Sequence, residues 1–191
     1  MARRAHQTHP EGLREIAAAQ DGYFSLAQAN EAGYSSQLIR HHCSTGKFER
    51  VRRGIYRLTA YPPGQRGDLM VSWLWSNQLG VFSHSTAMSL HELSDLLPDH
   101  IHITLPESQR GRKREVPPGL VLHFADLGPQ DRAWYGSVPV TSPRRTLLDC
   151  VAYALNPDLL DQALEQAVQR GLLDVASITQ ISKGIEKLKA G

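Results

Sequence analysis

The sequence predicts an α+β protein in two parts, and three observations predict it. Residues 21–58 read as two short helices around a glycine, followed by a tight basic hairpin. Residues 59–65, TAYPPGQ, interrupt regular structure with a Pro-Pro-Gly stop. Beyond them, short alternating apolar runs lie among longer stretches of helical periodicity, the pattern of a mixed α/β domain with a small sheet and several helices. The expected division is residues 1–60 and residues 61–191 of a 191-residue chain, long enough for two small cores.

The elements of the first part follow in order. Residues 1–9 look loose. Residues 10–20, PEGLREIAAAQ, read as a helix with Leu13, Ile16 and Ala17 inward. Ser25 can cap the next helix, whose apolar side carries Leu26, Ala29 and Ala32. Gly33 ends it, because a left-handed residue costs glycine little. Ser35 or Ser36 can cap a further helix over residues 35–45. Leu38, Ile39 and His42 lie on one side of it, and Ser36, Gln37, Arg40, His41 and Ser44 on the other. The runs KFERV and IYRLT then flank Arg52-Arg53-Gly54, where Gly54 supplies the positive φ of a hairpin turn. Three helices and a basic hairpin in this order are the sequence form of a winged helix-turn-helix. A helix facing outward with small polar residues, an amide and an arginine suits the major groove of double-stranded DNA.

Charge supports that reading. The whole chain is only +2, but residues 1–60 hold nine basic and five acidic side chains, against twelve and fourteen in residues 61–191. Between Tyr34 and Arg57, six cations (Arg40, Lys47, Arg50, Arg52, Arg53 and Arg57) face one acid, Glu49. Such clustering serves phosphate contact better than net charge does. The expected DNA-binding residues are Ser36, Gln37, Arg40, His41, Ser44, Lys47, Arg50, Arg52 and Arg53. The bland alternative is a solvated basic hairpin on an ordinary domain.

In the second part, residues 66–78 are helical and apolar nearly all round, which implies burial on several sides. Residues 83–93 read as a helix. HIHITLP from His100, GLVLHF from Gly119 and SVPVTS from Ser137 read as strands. Helices are expected over residues 143–155, 157–170 and 175–188, the first two with proline at the first turn. On the last, Ile178, Ile181, Ile185 and Leu188 form one stripe, assigned to the core rather than to a second subunit. Two cationic groups stand out: the loop Arg110, Arg112, Lys113 and Arg114, and the pair Arg144 and Arg145 at a helix start, where cations are unfavourable. They are candidates for a second anionic ligand or an acidic partner. The alternatives are a solvated loop and pairing with carboxylates, including Arg145 with Asp149 at i, i+4.

The chain resembles the AbiEi-type antitoxins, the transcription-regulating half of bacterial type IV toxin–antitoxin systems. The resemblance lies in GYFSLAQANEAGYSSQLIRHHCSTGKFERVRRGIYRL, VFSHSTAMSLHEL, HIHITLP and VPVTSPRRTLLDCVAYAL followed by DLLDQALEQAVQRGLL, and covers residues 10–175. It implies a winged helix-turn-helix that binds repeats in its own promoter and represses its operon. It also implies a C-terminal domain that counters a nucleotidyltransferase-like toxin functionally, without a tight complex. The same arrangement is similar to the front end of proteins that carry a restriction-endonuclease-like domain; a chain running to Gly191 is expected to be a nuclease-free version.

Other function classes fit less well. Nine histidines include His84, His91, His100, His102 and His123. His100 and His102 are two apart on a strand and point the same way; with His123 on a neighbouring strand they can form a zinc site. No HExxH, G-x-S-x-G or phosphate-cradling glycine loop accompanies them. Solvated or hydrogen-bonded surface histidines are therefore expected, with no metal, no cofactor and no catalytic residue. Ser83-His84 is not expected to be a nucleophile beside its base, since adjacent helical residues do not face each other, and Ser83 or Ser85 is expected to cap instead. Cys43 and Cys150 are expected to be packed rather than bridged, in a cytoplasmic protein without signal peptide or membrane span, as a monomer or dimer. The competing class is an interaction module that neutralises a partner directly.

Overall fold

The computed structural model describes residues 8–190 except Pro63, Gln65 and Leu96. Of the loose start expected at residues 1–9, residues 1–7 lie outside the described residues, as does part of the Pro-Pro-Gly stop. Among those described, eight α-helices and two sheets make a mixed α and β structure. The chain divides into two compact units, residues 1–78 and 79–191.

The first unit runs α1 (Pro10–Ala18), β1 (Tyr23–Ser25), α2 (Leu26–Glu31), α3 (Ser36–Ser44), β2 (Phe48–Arg52), β3 (Ile55–Leu58) and α4 (Gly67–Trp75). Its sheet has the order β1-β3-β2 and is antiparallel throughout. Strand β1 was not expected. Three residues are too few to show a period, and only the pairing of Tyr23 with Arg57 and Ser25 with Ile55 makes them a strand. One side of α1 supplies Leu13 and Ala17 to a core completed by Phe24, Ala29, Ala32, Tyr34, Ile39, Phe48 and Leu58. Phe24 is its centre: fully buried, edge-on to Phe48 at 5.0 Å and stacked on Tyr56 at 5.7 Å between ring centroids. Burying such a ring is worth about 1.5–3 kcal/mol in transfer energy alone.

The unit boundary falls later than residue 60. Helix α4 begins beyond the proline stop yet belongs with the first unit, where it packs against β1 and β3. Its apolar surface, with Leu69, Met70, Trp73 and Leu74 buried, has to be covered, and the first unit's sheet supplies the cover. A Pro-Pro-Gly stop marks a break in regular structure, not the end of a core.

The second unit runs β4 (Val81–Phe82), α5 (His84–Leu90), β5 (Ile101–Leu105), β6 (Leu120–Phe124), β7 (Arg132–Tyr135), β8 (Val138–Thr141), α6 (Pro143–Ala152), α7 (Pro157–Gln169) and α8 (Val175–Ala190), with 3₁₀ turns at Glu107–Gln109 and Pro129–Asp131. Its mixed sheet has the order β6-β5-β4-β8-β7. β5 pairs parallel with β6, and β4 with β8; β4–β5 and β7–β8 are antiparallel. Strands β4 and β7 were not foreseen, β4 being two residues long and β7 carrying Arg132 and an exposed Trp134. Ser142 caps α6 through a hydrogen bond from the Arg145 backbone N–H at 3.4 Å, with Pro143 in the first turn. Of the stripe on α8, Ile181 and Ile185 are core, buried with Leu147, Leu160, Ala163 and Ala167; Leu188 packs partly buried against them and Ile178 is half-buried.

Candidate nucleic-acid interface

Local chemistry fixes the geometry from Ser25 to Leu58. Ser25 and Gln28 form a reciprocal capping box: the Gln28 N–H donates to Ser25 Oγ at 3.2 Å, and the Ser25 N–H donates to Gln28 Oε1 at 2.8 Å. Gly33, at φ +82°, turns the chain out of α2. Ser35 then caps α3, accepting from the Leu38 N–H at 3.2 Å. On α3, Ile39 is buried and His42 is half-buried against Tyr34 and Phe48, with ring centroids 5.7 and 4.8 Å away. Burial, then the nearby Lys47, lower the pKa of His42 and so favour its neutral form.

The opposite face of α3 is exposed and contains the expected residues Ser36, Gln37, Arg40, His41 and Ser44. Two of them are engaged with their own helix. The Arg40 Nε–H donates to the Ser36 carbonyl at 3.4 Å, and the Ser44 hydroxyl donates to the His41 carbonyl at 2.9 Å. Both bonds are exposed to water.

Only three residues separate α3 from β2. The Thr59 hydroxyl donates to the Gly46 carbonyl at 2.7 Å, tying the end of the hairpin to its start. The turn is Arg53-Gly54, with Gly54 at φ +76°. A bulge lies between Arg50 and Arg52: Arg50 pairs with Tyr56, while Arg52 pairs with Ile55. The extra residue, Val51, is exposed, as an insertion that re-aims side chains near a strand end would leave it. Lys47, Arg50 and Arg53 are exposed and Arg52 half-buried. Arg57 is different: Glu49 accepts from its Nε–H at 3.1 Å, and the Tyr61 carbonyl accepts a further bond. It is thus committed to the fold, which sequence spacing did not reveal because the two residues meet only across the β2–β3 register.

The second unit deals differently with its expected cationic residues. Arg145 Nε–H donates to Asp149 Oδ1 at 2.8 Å, and its guanidinium also lies 3.7 Å from Asp131. Arg144 lies 3.6 Å from Asp131. The pairing with carboxylates left open by the sequence is therefore formed. Arg110 pairs with Glu107, donates to the Phe124 carbonyl at 3.2 Å and sits over the Phe124 ring. Arg114 donates to Gln109 at 2.9 Å, and Arg112 and Lys113 are exposed. Arg110 and Arg145 line one cavity of about 330 Å³, together with His84, His123 and Asp149.

The histidines differ from expectation. His100 is exposed before β5, so the grouping of His100 with His102 and His123 does not form. His84, from the start of α5, takes its place, and His84 and His102 are buried rather than at the surface. Ser83 and His84 do meet, with Ser83 Oγ 2.9 Å from His84 Nδ1. Helical geometry would forbid that contact, but Ser83 is extended and His84 has φ +51°. Ser83 stands at the N-cap without making the cap bond; its oxygen accepts from the Thr104 hydroxyl at 2.8 Å. It is fully buried. Cys43 and Cys150 are unbridged, and burial pushes the Cys150 thiol up to about 12.

No helix among the described residues is long and apolar enough to cross a membrane. No curated protein matches the chain. Among solved structures, the chain is similar to the crystal structure of the RV2827C protein from Mycobacterium tuberculosis, at 16% identity and a TM-score of 0.44, over 94% of this chain and 83% of that one. Residues 12–59, the capped helices and the hairpin, match the family described as transcriptional regulator, AbiEi antitoxin, the family that the sequence resembles.

Proposed function

We propose that this protein is a sequence-specific DNA-binding repressor that acts on its own promoter as the antitoxin of a type IV system. The observation that carries the reading is the exposed polar face of α3, joined within three residues to a hairpin whose Arg50, Arg52 and Arg53 have no carboxylate partner among the described residues, in a segment that matches transcriptional regulators. In this reading residues 10–58 act as a winged helix-turn-helix. Gln37 and Arg40 touch base edges in the major groove, glutamine reading adenine and arginine reading guanine. Ser36, His41 and Ser44 complete the contact face of α3. Lys47, Arg50, Arg52 and Arg53 hold phosphates and fix the register without reading sequence.

The second unit, in this reading, counters a nucleotidyltransferase-like toxin through function rather than a stable complex. The partner expected first is therefore DNA. The deciding experiment is titration of the purified protein against its own upstream duplex, at several salt concentrations and with unrelated duplex as competitor. Tight binding that survives the competitor supports an autoregulator. Weak binding lost equally on both duplexes refutes base readout by α3.

A further inference from the structure

We propose that His84, His102 and His123 form a binding site for one divalent transition-metal ion of the zinc class. The site lies wholly in the second unit and does not rest on the DNA-binding reading. One ring nitrogen from each histidine lies within 4.8 Å of the others. His102 Nδ1 and His123 Nε2 face each other at 2.9 Å. Two neutral imidazoles at that distance share a single proton. Around a tetrahedral ion with Zn–N distances of about 2.0–2.1 Å, two such nitrogens stand about 3.3 Å apart. To direct both lone pairs at one ion the nitrogens must separate by a few tenths of an ångström and the two rings must turn out of their head-on arrangement.

The fold brings the three together deliberately. His102 and His123 come from the parallel pair β5 and β6, where His102 is opposite Val121 and His123 opposite Thr104, so both side chains share one face of the sheet. His84 joins them from the start of α5, its ring centroid 3.5 Å from that of His123. A non-glycine residue at φ +51° is strained by about 1–3 kcal/mol and persists where surroundings impose it. Here the strain turns the imidazole back against the sheet.

An outer layer is also present. Ser83 Oγ, held by Thr104, lies beside His84 Nδ1. With Nδ1–H donating to that oxygen, Nε2 of His84 presents a lone pair, the arrangement that orients metal-bound histidines. Burial favours the neutral, ligating form of all three rings. Two cations line the same cavity, and both are paired, Arg145 with Asp149 and Asp131 and Arg110 with Glu107, so neither stands against the ion as a bare charge. His84 and His123 both line the 330 Å³ cavity, and there Asp149 keeps a buried Oδ2 without a hydrogen bond. Three histidines thus leave a fourth position facing open volume, as in sites that bind water or a small anion on the metal.

The test uses the full chain, stripped with a chelator and titrated with zinc against a chromophoric competitor. One ion per chain is expected. His102→Gln and His123→Gln should each weaken binding about 100-fold or more, whereas His100→Gln, at an exposed position two residues from His102, should not change it. Cobalt(II) should give the visible absorption of a tetrahedral nitrogen-ligated ion in the wild type and lose it in His123→Gln. Should the buried His102 variant fail to fold, the half-buried His123 variant and the wild-type cobalt spectrum decide the matter. Absence of stoichiometric zinc binding at micromolar concentration overturns the proposal. So does binding that survives His123→Gln or disappears in His100→Gln, since either places the ion elsewhere.

Discussion

Replacing Arg52 and Arg53 together by alanine should halve the salt dependence of DNA binding. The magnitude follows from which cations the structure leaves available. Lys47, Arg50, Arg52 and Arg53 have no carboxylate partner among the described residues, whereas Arg57 is tied to Glu49. Four cations are thus available near the hairpin rather than five. Each phosphate neutralised contributes about 0.9 to the slope of log affinity against log salt. The wild-type slope is then about −3.6, and that of the double mutant about −1.8. Between about 50 and 200 mM salt, wild-type affinity should fall about 150-fold and the mutant's about 12-fold. Glu49→Gln, which releases Arg57, should steepen the slope by about 0.9. Fluorescence anisotropy of a labelled upstream duplex at four salt concentrations reads all three. Arg40→Ala should behave differently, losing about 1–3 kcal/mol on the specific duplex and little on an unrelated one. A double mutant that keeps the full slope would refute the hairpin as phosphate anchor. Equal loss on both duplexes after Arg40→Ala would refute base readout.

Three further outcomes test the fold itself. Gly22→Ala should destabilise the protein by about 1–3 kcal/mol in denaturant melts, because Gly22 has φ +88° and an added Cβ meets Tyr61 Cβ at 2.5 Å; an unchanged midpoint contradicts this. Arg145→Met should cost about 3 kcal/mol by leaving Asp149, whose side chain is only 12% exposed, without its partner. Adding Asp149→Leu should recover most of that loss, and a double mutant no more stable than the single one removes the argument. In metal-stripped protein, burial lowers His84 to about 3 and His123 to about 4, below the ordinary 6.5. The unfolded chain therefore binds protons that the folded one refuses, so stability present above about pH 6.5 falls as pH drops towards 4. His123→Gln should flatten that decline in thermal melts between pH 7 and 4, and an identical decline in the variant would exclude His123 as a contributor.

Much of the first unit was legible in the chain because its determinants are local. Ser25, Ser35, Gly33 and Gly54 each act within a turn of their own position. The exposed set on α3 follows from helical period and from Leu38, Ile39 and His42 on the other side. The same holds for the Ser142-Pro143 helix start and the Ile181 and Ile185 stripe in the second unit. Family resemblance in residues 12–59 rests on these short-range features too.

What local pattern could not decide lies in pairings between distant residues. Strands β1 and β4 are three and two residues long, and exist only because β3, β5 and β8 supply their hydrogen-bond partners. The placement of α4 with the first unit depends on which surface covers its apolar sides, a question no linker composition answers. The histidine cluster shows the difference most sharply. Period two correctly put His102 on a strand face and His123 on a neighbour, but it chose His100 as the third member. His100 lies just before β5, outside the paired strand, while His84 reaches the cluster from a different element through a backbone angle that no helix template contains. The sequence by itself determined capped helices, the hairpin and the charge they carry, since each arises within a few residues. Tertiary structure alone decided that Arg57 is spent on Glu49, that Asp131 joins Arg144 and Arg145, and which three of nine histidines meet, because those partners are brought together only when the sheet of the second unit closes and the hairpin sets its register.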